Sequence, residues 1–392
     1  MAGLRVLDLS TVVAGPVAAR NLGDLGAEVV KVEHPVHGDP ARRMGWHVDG
    51  QSLWWKTLSR NKVPVTLDLS RPEGAAVCLR LAAVSDVVVE SFRPGTLERW
   101  GLGPEQLLGA RGDLVVVRIS GFGQTGPYAG RPGFGTLAEA MSGYAGVQGE
   151  GDGPPLLPSV PLADCTAATH ATAAALAALL HRERTGEGQV VEVSLYEPLL
   201  AMLDPLPALA DLIGQEPPRL GNRLPFSAPR GAYRTADDRW LALSGSSPAV
   251  ARRILLAVGG ETLAADPRFA DNAARLEHAE ALDEIIASWV AGRTLDEALA
   301  AFDDADAAAA PVYGMADTLT DPHFVARQSV VRVPDDDLGS VAMTGVVPRF
   351  SATPGAIRWT GPPAGAGNDR VYGDLLGMSA DERRALAGAG II

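Results

Sequence analysis

The sequence predicts an α/β fold: a parallel β-sheet covered on both faces by helices, followed by a smaller α+β module. Short, almost wholly apolar runs recur between residues 4 and 197, as RVLDL, EVVKVEH, VPVTLDL, SDVVVES, DLVVVRIS and GQVVEVSLYE. Helix-forming stretches separate them. A strand apolar on both sides must be covered on both sides, and parallel sheets bury their strands in that way. The pattern then breaks at DPLPALADLIGQEPPRLGNRLP (204–225), which is rich in Pro and Gly and reads as a linker.

Residues 4–34 read as a β-α-β unit, with AGPVAARNLGDLGA as loop, helix and turn between two strands. A strand over 63–69 follows. Ser70 and Glu73 have capping-box spacing and predict a helix over 72–84. Further strands are expected near 85–91, 113–120 and 188–197. A helix over 165–184 is predicted from its Ala, Leu and Arg content, with Gly186 as its stop just past His181, Arg182 and Arg184. Beyond the linker, GAYRTADDRWLALSG (231–245) reads as a hairpin turning at Asp237–Asp238. Helices are expected near 248–258, 277–291 and 294–303, the last opened by a Thr294/Glu297 capping box. A short C-terminal helix is capped by Ser379 and Glu382. The expected domains are 1–203 (large), 204–225 (linker), 226–335 (small, α+β) and 336–392 (linker and return to the large domain).

Of 392 residues, 46% are hydrophobic and 21% charged, the composition of a globular protein with ample core. A formal net charge of −13 argues against binding nucleic acid or an anionic membrane surface. The start MAGLRVLDLST lacks signal-peptide character, and no apolar run reaches transmembrane length. Cys78 and Cys165 do not make a disulfide framework; a reduced cytoplasmic setting is expected. Among 34 cationic side chains only Lys31, Lys56 and Lys62 are lysines. Lysines that persist against an arginine bias hint at a local need for a compact phosphate-binding charge.

The chemically most informative stretch is PLADCTAATHATAAALAALLHRERTGEGQ (161–189). It sets Asp164 at the mouth of the long helix, at the expected N-cap, where free N–H groups and the helix dipole favour a carboxylate. Two roles stand open for Asp164. It is a plain helix cap, or a held nucleophile towards an activated acyl group. GFGQTG (121–126) matches a dinucleotide fingerprint, but Pro127, Gly130, Pro132 and Gly133 follow where a helix is required, so a loop is expected. His34, His37 and Asp39 lack a completing metal ligand and read as a turn with surface histidines. Cys165 and His170, five residues apart on one helix, point about 140° from each other and form no dyad.

The order and spacing of RVLDLSTVVAGP, LGAEVVKVEHPVHGDPAR, LSRNKVPVTLDLSRPEG, VVVESFRPGTLERWGLG, SGFGQTGPYAGRPGFGTLAEAMSG, the Asp164 segment, RTGEGQVVEVSLYE and DPHFVARQ…FSATPG carry a further reading. Over almost its whole length the chain resembles the family III CoA-transferases, a group that includes formyl-CoA and carnitine CoA-transferases and α-methylacyl-CoA racemase. The resemblance implies a doubly wound large domain, a small domain, and a homodimer of two ring-like chains threaded through each other. It implies acyl-CoA and a carboxylic acid acceptor as partners, CoA thioester as substrate, no tightly bound cofactor and no metal. Asp164 matches the family's nucleophile, which attacks the thioester, passes through a mixed anhydride and becomes an aspartyl-CoA thioester.

By motif position, Val13 and Ala14 match the loop facing this aspartate, whose N–H groups can stabilise an oxyanion. Lys62, Arg99, Ser91 and Phe92 match the CoA-binding region. His34 stands where a relative has an arginine, and Arg42, Arg60 and Arg131 are further cationic candidates for the CoA phosphates. Gly133-Phe134-Gly135 replaces a GHD motif of the racemase branch, and the place of its small-domain glutamate, near Ser247, holds no carboxylate. α-Proton exchange needs a base on each face of the carbon, so racemisation is disfavoured. Phe134 and Gly135 are expected to wall the acyl pocket. The rival readings are an acyl-CoA racemase or epimerase on the same scaffold, and a non-catalytic acyl-CoA-binding subunit.

Overall fold

A computed structural model describes residues 1–392. Its main sheet has six strands: β1 (Arg5–Asp8), β2 (Glu28–Glu33), β3 (Lys62–Thr66), β4 (Val87–Glu90), β5 (Val115–Ser120) and β6 (Gln189–Ser194). All pairs are parallel, in the order β3-β2-β1-β4-β5-β6. Every expected strand of the large domain is present.

The apolar runs are continuous because successive side chains serve two cores. Val6, Val29, Val87, Val89 and Val115 face one layer. Leu7, Val30, Val88 and Val116 face the other. Helix α1 (Ala14–Asp24) covers the first face; α2 (Pro72–Ala83) and α3 (Pro104–Ala110) cover the second. The short α4 (Gly135–Met141) leads to the long α5 (Leu162–Thr185), also on the first face. Ala163, Ala167, Ala168, Ala171, Ala175 and Ala178 line the buried side of α5. Their small side chains let α5 lie close on α1, where Asn21 Nδ2 donates to Thr172 Oγ1 at 3.3 Å. Gly186, at φ 78°, ends α5 as expected.

The strand order reverses between β1 and β4. Open α/β sheets bind ligands outside the carboxyl ends of their strands at such a reversal. Here the loop after β1 and the loop after β4 are tied across it: Thr11 N–H donates to Ser91 Oγ at 3.0 Å.

Two elements of the large unit differ from expectation: the segment expected as a linker over 204–225 forms a helix at Leu206–Ile213, and the helix expected to be capped by Ser70 is not. Ser70 does not cap α2. Pro72 opens that helix, with Arg71 at the N-cap position. Proline lacks the N–H a cap would satisfy and presets the helical φ, so the Ser70 hydroxyl donates to Asp68 Oδ1 at 2.6 Å instead.

Residues 1–145, 157–213 and 323–392 form one compact unit; residues 146–156 and 214–322 form a second. In the second unit β7 (Arg230–Arg234), β8 (Trp240–Ser244) and β9 (Ala309–Pro311) make an antiparallel sheet in the order β9-β8-β7. The β7–β8 hairpin turns at Asp237–Asp238, with Asp238 at φ 60°. Helices α6 (Pro248–Ala264), α7 (Ala279–Ala291) and α8 (Leu295–Asp304) pack on this sheet through Leu241, Ile254, Leu282, Ile286 and Phe302. The Thr294/Glu297 capping box of α8 is complete, and Ser379 caps the last helix. The C-terminal segment joins the six-stranded sheet: Tyr372 Oη donates to the Thr66 carbonyl at 2.7 Å, and Asp68 N–H to the Ile391 carbonyl at 2.8 Å.

Candidate active site

The candidate site lies where α1 and α5 begin. Helix α5 opens at Leu162 with Pro161 at its N-cap position, so Asp164 is the third helical residue rather than the cap. The reason is tertiary. The Ala163 N–H, which a capping side chain would have taken, donates to Glu139 Oε1 of α4 at 3.2 Å. Asp164 is thereby released from capping duty, and its half-buried carboxylate lies close to its own N–H and that of Ala14 at the start of α1, both of which favour its ionised form. Two helix N-termini thus converge on one carboxylate.

Burial, and next the charge of Glu139, push the Asp164 carboxyl up to about 6, against the lowering effect of those two N–H groups. Such a group is ionised at neutral pH yet more basic than an ordinary carboxylate, which suits a nucleophile. Gly135 completes the wall. It is the first residue of α4, and a methyl group on its Cα would overlap Asp164 Oδ2. No side chain fits there, so the missing acid of the GHD-like segment leaves no open space beside Asp164.

The turn that presents Ala14 is strained. Val12 adopts φ 71°, a left-handed conformation that is a genuine outlier for a β-branched residue and costs about 1–3 kcal/mol. Buried polar groups hold it. Asp39 Oδ1 accepts the N–H groups of Val12 (3.2 Å) and Ala41 (2.9 Å). Lys31 Nζ donates to the Ser10 carbonyl and sits 3.0 Å from Asp39 Oδ2. Asp8 Oδ1 accepts from Ser10 N–H at 3.1 Å, and Asp8 Oδ2 from Lys62 Nζ at 2.8 Å. The two lysines hold the Asp8 carboxyl below its usual range despite burial.

This geometry corrects the reading of the lysines. Lys31 and Lys62 are fully enclosed and Lys56 is buried; each neutralises carboxylates inside the protein. Lys62, with Nζ between Asp8 and the Pro16 carbonyl (2.7 Å), offers no donor to a phosphate. Arg60 is likewise occupied, by Asp24 (2.6 Å) and the Thr344 carbonyl (2.6 Å). Arg42 grips Glu33 through two 2.7 Å bonds and stacks over Trp55 at 3.6 Å.

The remaining candidates keep accessible surface beyond the carboxyl ends of the strands. His34 follows β2, and its ring is 38% exposed and stacked on His37 at 4.6 Å. Ser91 and Phe92 follow β4; Phe92 meets Trp100 edge-on at 5.1 Å. Arg99 is exposed and bonded only to Thr96 Oγ1, at 3.0 Å. Arg131 is exposed and lies over the Tyr128 ring at 3.7 Å. Phe134 is 63% exposed. Val13 is buried, and its carbonyl accepts the Val17 N–H at 2.8 Å, which closes the first turn of α1. The G-x-G-x-x-G segment is a loop, as expected. No group of side chains suited to a metal ion is present, and no helix is long and apolar enough to cross a membrane.

Sequence reasoning missed Glu139 and Asp8, and read Asp39 only as part of a turn. Glu139 and Gly135 are four residues apart and share one face of α4; that spacing was the available signal.

Known proteins resemble this chain in sequence and in fold. Residues 1–368 match the family model described as CoA-transferase family III. Succinyl-CoA–D-citramalate CoA-transferase of Chloroflexus aurantiacus is 44% identical over 390 residues, covering 99% of this chain and 97% of that protein. The beta subunit of succinyl-CoA–L-malate CoA-transferase from the same organism is 40% identical, covering 97% and 95%. A crystal structure of a CaiB/BaiF family protein from Brucella suis superposes with a TM-score of 0.85 at 30% identity, covering 95% of this chain and 98% of that one.

Proposed function

The chain belongs to CoA-transferase family III, and from that premise we propose that it moves CoA between two carboxylic acids through a covalent thioester on Asp164. The observation that supports this reading is the carboxylate itself: half-buried, raised in basicity by burial and Glu139, and close to the Ala14 N–H at the start of α1, the helix that follows β1. Asp164 attacks the thioester carbonyl of the donor, and the C–S bond breaks to give a mixed anhydride and CoA thiolate. The thiolate attacks the Asp164 carbonyl and expels the donor acid as its carboxylate. The acceptor carboxylate then attacks aspartyl-CoA and repeats the two steps in reverse. Splitting the exchange avoids a direct reaction between two weakly reactive partners. The nearness of the Ala14 N–H to Asp164, after the strained turn at Val12, supports a role for it in stabilising the oxyanion formed at Asp164.

The CoA phosphates and adenine fall to the exposed groups past the strand ends: Arg99 and Arg131 as cations, with His34, Ser91 and Phe92 as the slot. Phe134 forms part of the acyl pocket. The named activities of the relatives favour succinyl-CoA as donor and a small hydroxylated dicarboxylate such as D-citramalate or L-malate as acceptor. Racemisation is disfavoured because neither Phe134 nor Ser247 supplies a base; Ser247 caps α6 by accepting the Val250 N–H. We extend to this chain the threaded homodimer implied by the family, for which sedimentation at twice 40.8 kDa is the check.

The test is incubation with succinyl-CoA and each acceptor, followed by chromatography of the CoA esters. Citramalyl-CoA or malyl-CoA formed in step with free succinate supports the reading. Exchange of the α-proton with solvent deuterium in the absence of any acceptor, without CoA transfer, overturns it in favour of racemisation.

A further inference from the structure

We propose that Glu139 is a positioning residue whose buried negative charge drives Asp164 toward its acylated forms. The inference rests on the covalent reading above and deepens it.

Glu139 is an unusual neighbour for a nucleophilic carboxylate. It is 3% exposed, and no cation pairs with it. Its carboxylate accepts the Ala163 N–H, donated from the residue just before Asp164. Glu139 and Gly135 lie on the same face of α4, and the bare Cα of Gly135 touches the Asp164 carboxylate. Two acids therefore share one partly enclosed wall. The charged and titratable groups around Asp164 are Glu139 from α4 and Cys165 on α5 itself, which in turn faces Arg20 of α1. No cation acts directly on Asp164 to offset Glu139.

Such an arrangement destabilises a resting enzyme that holds two negative charges. Acylation relieves it. When Asp164 attacks the thioester, its charge passes to the CoA thiolate. When the thiolate attacks the anhydride, the charge departs on the donor carboxylate. The aspartyl-CoA thioester is uncharged at Asp164, so Glu139 penalises the free enzyme and leaves the covalent one untouched. A neutral group at 139 would hold the Ala163 N–H equally well but would lose this bias. Glu139 thus does two separable things: its oxygen anchors the first turn of α5, and its charge sets how far the covalent equilibrium lies toward aspartyl-CoA.

The experiment separates them. Glu139→Gln keeps an oxygen for the Ala163 N–H and removes the charge. Wild type and Glu139→Gln are each equilibrated with succinyl-CoA at fixed free succinate, and the ratio of CoA-bearing to free enzyme is read by intact-protein mass spectrometry. The expected result is a ratio about tenfold lower in Glu139→Gln, the change that one pKa unit of lost repulsion represents. The acid limb of kcat/KM moves to lower pH in parallel. Glu139→Met, neutral and without amide geometry, carries the same expectation, and Glu139→Asp, which keeps the charge, shows the larger ratio. Equal ratios and an unmoved limb in the neutral variants overturn this inference alone. Wild-type enzyme that turns over with no CoA adduct overturns the covalent reading, and the inference with it.

Discussion

Gly135 and Asp164 approach so closely that the glycine's missing side chain is a requirement of the site: a Cβ there would occupy the place of Asp164 Oδ2. Gly135 is the first residue of α4 with an ordinary helical backbone, so its identity is set by this contact and not by a left-handed φ. Gly135→Ala is expected to fold normally and to keep its affinity for CoA. Its kcat should fall about 100-fold, the usual consequence of a misplacement of about 1 Å in a reacting group. Steady-state kinetics with the melting temperature as control is the check. An unchanged kcat would mean that Asp164 is not held against α4.

The pH profile reports the same carboxylate. Burial and Glu139 raise Asp164 to about 6. Attack needs the ionised form, so activity is expected to be flat above that pH and to fall tenfold per unit below it. An unshifted aspartate would place this limb near 4. A kcat/KM profile measured between pH 4.5 and 8 distinguishes the two, provided stability is followed in the same buffers.

Lys62 is expected to govern stability rather than CoA affinity. Its ammonium is enclosed between Asp8 and the Pro16 carbonyl. Lys62→Met leaves Asp8 with the more distant Lys31, at 3.9 Å, as its only cation. Loss of one partner from a buried pair costs about 3–5 kcal/mol. Urea denaturation should register that loss while KM for acyl-CoA in the remaining folded enzyme stays within about twofold. A raised KM at native stability would return Lys62 to the phosphate site.

Arg99 gives the opposite expectation. It is exposed and bonded only to its neighbour Thr96. Arg99→Ala should raise KM for acyl-CoA several-fold with kcat unchanged, the signature of lost uniform binding. The effect should shrink as salt screens the phosphates. Unchanged KM at low ionic strength would exclude Arg99 from the nucleotide site.

The six-stranded sheet was legible because strands covered on both faces carry their whole signal locally, as VVVE and VVVRIS do. The helix behind Asp164 was legible from its alanine content and Gly186. What sequence could not show was any partnership made across the fold. The sequence puts Asp164 at the N-cap position because capping is the local use of an acid at that point; in the fold Glu139, from another helix, takes the Ala163 N–H and the helix opens at Leu162, two residues before Asp164. Lys31 and Lys62 read as free cations because Asp8 and Asp39 reach them only after the strands pair. Ser70 lost its helix to Pro72, a choice between two local signals that the spacing of Ser70 and Glu73 did not rank.

The most direct measurement is rapid-quench mass spectrometry of the peptide bearing Asp164 after mixing with succinyl-CoA without acceptor, run on the native enzyme and on Asp164→Asn. Covalent transfer requires a CoA adduct on that peptide, formed at least as fast as turnover and discharged by added acceptor acid, with Asp164→Asn slowed by at least about 1,000-fold. Exchange of CoA by folded Asp164→Asn at the native rate, or turnover with no adduct on that peptide, would contradict it.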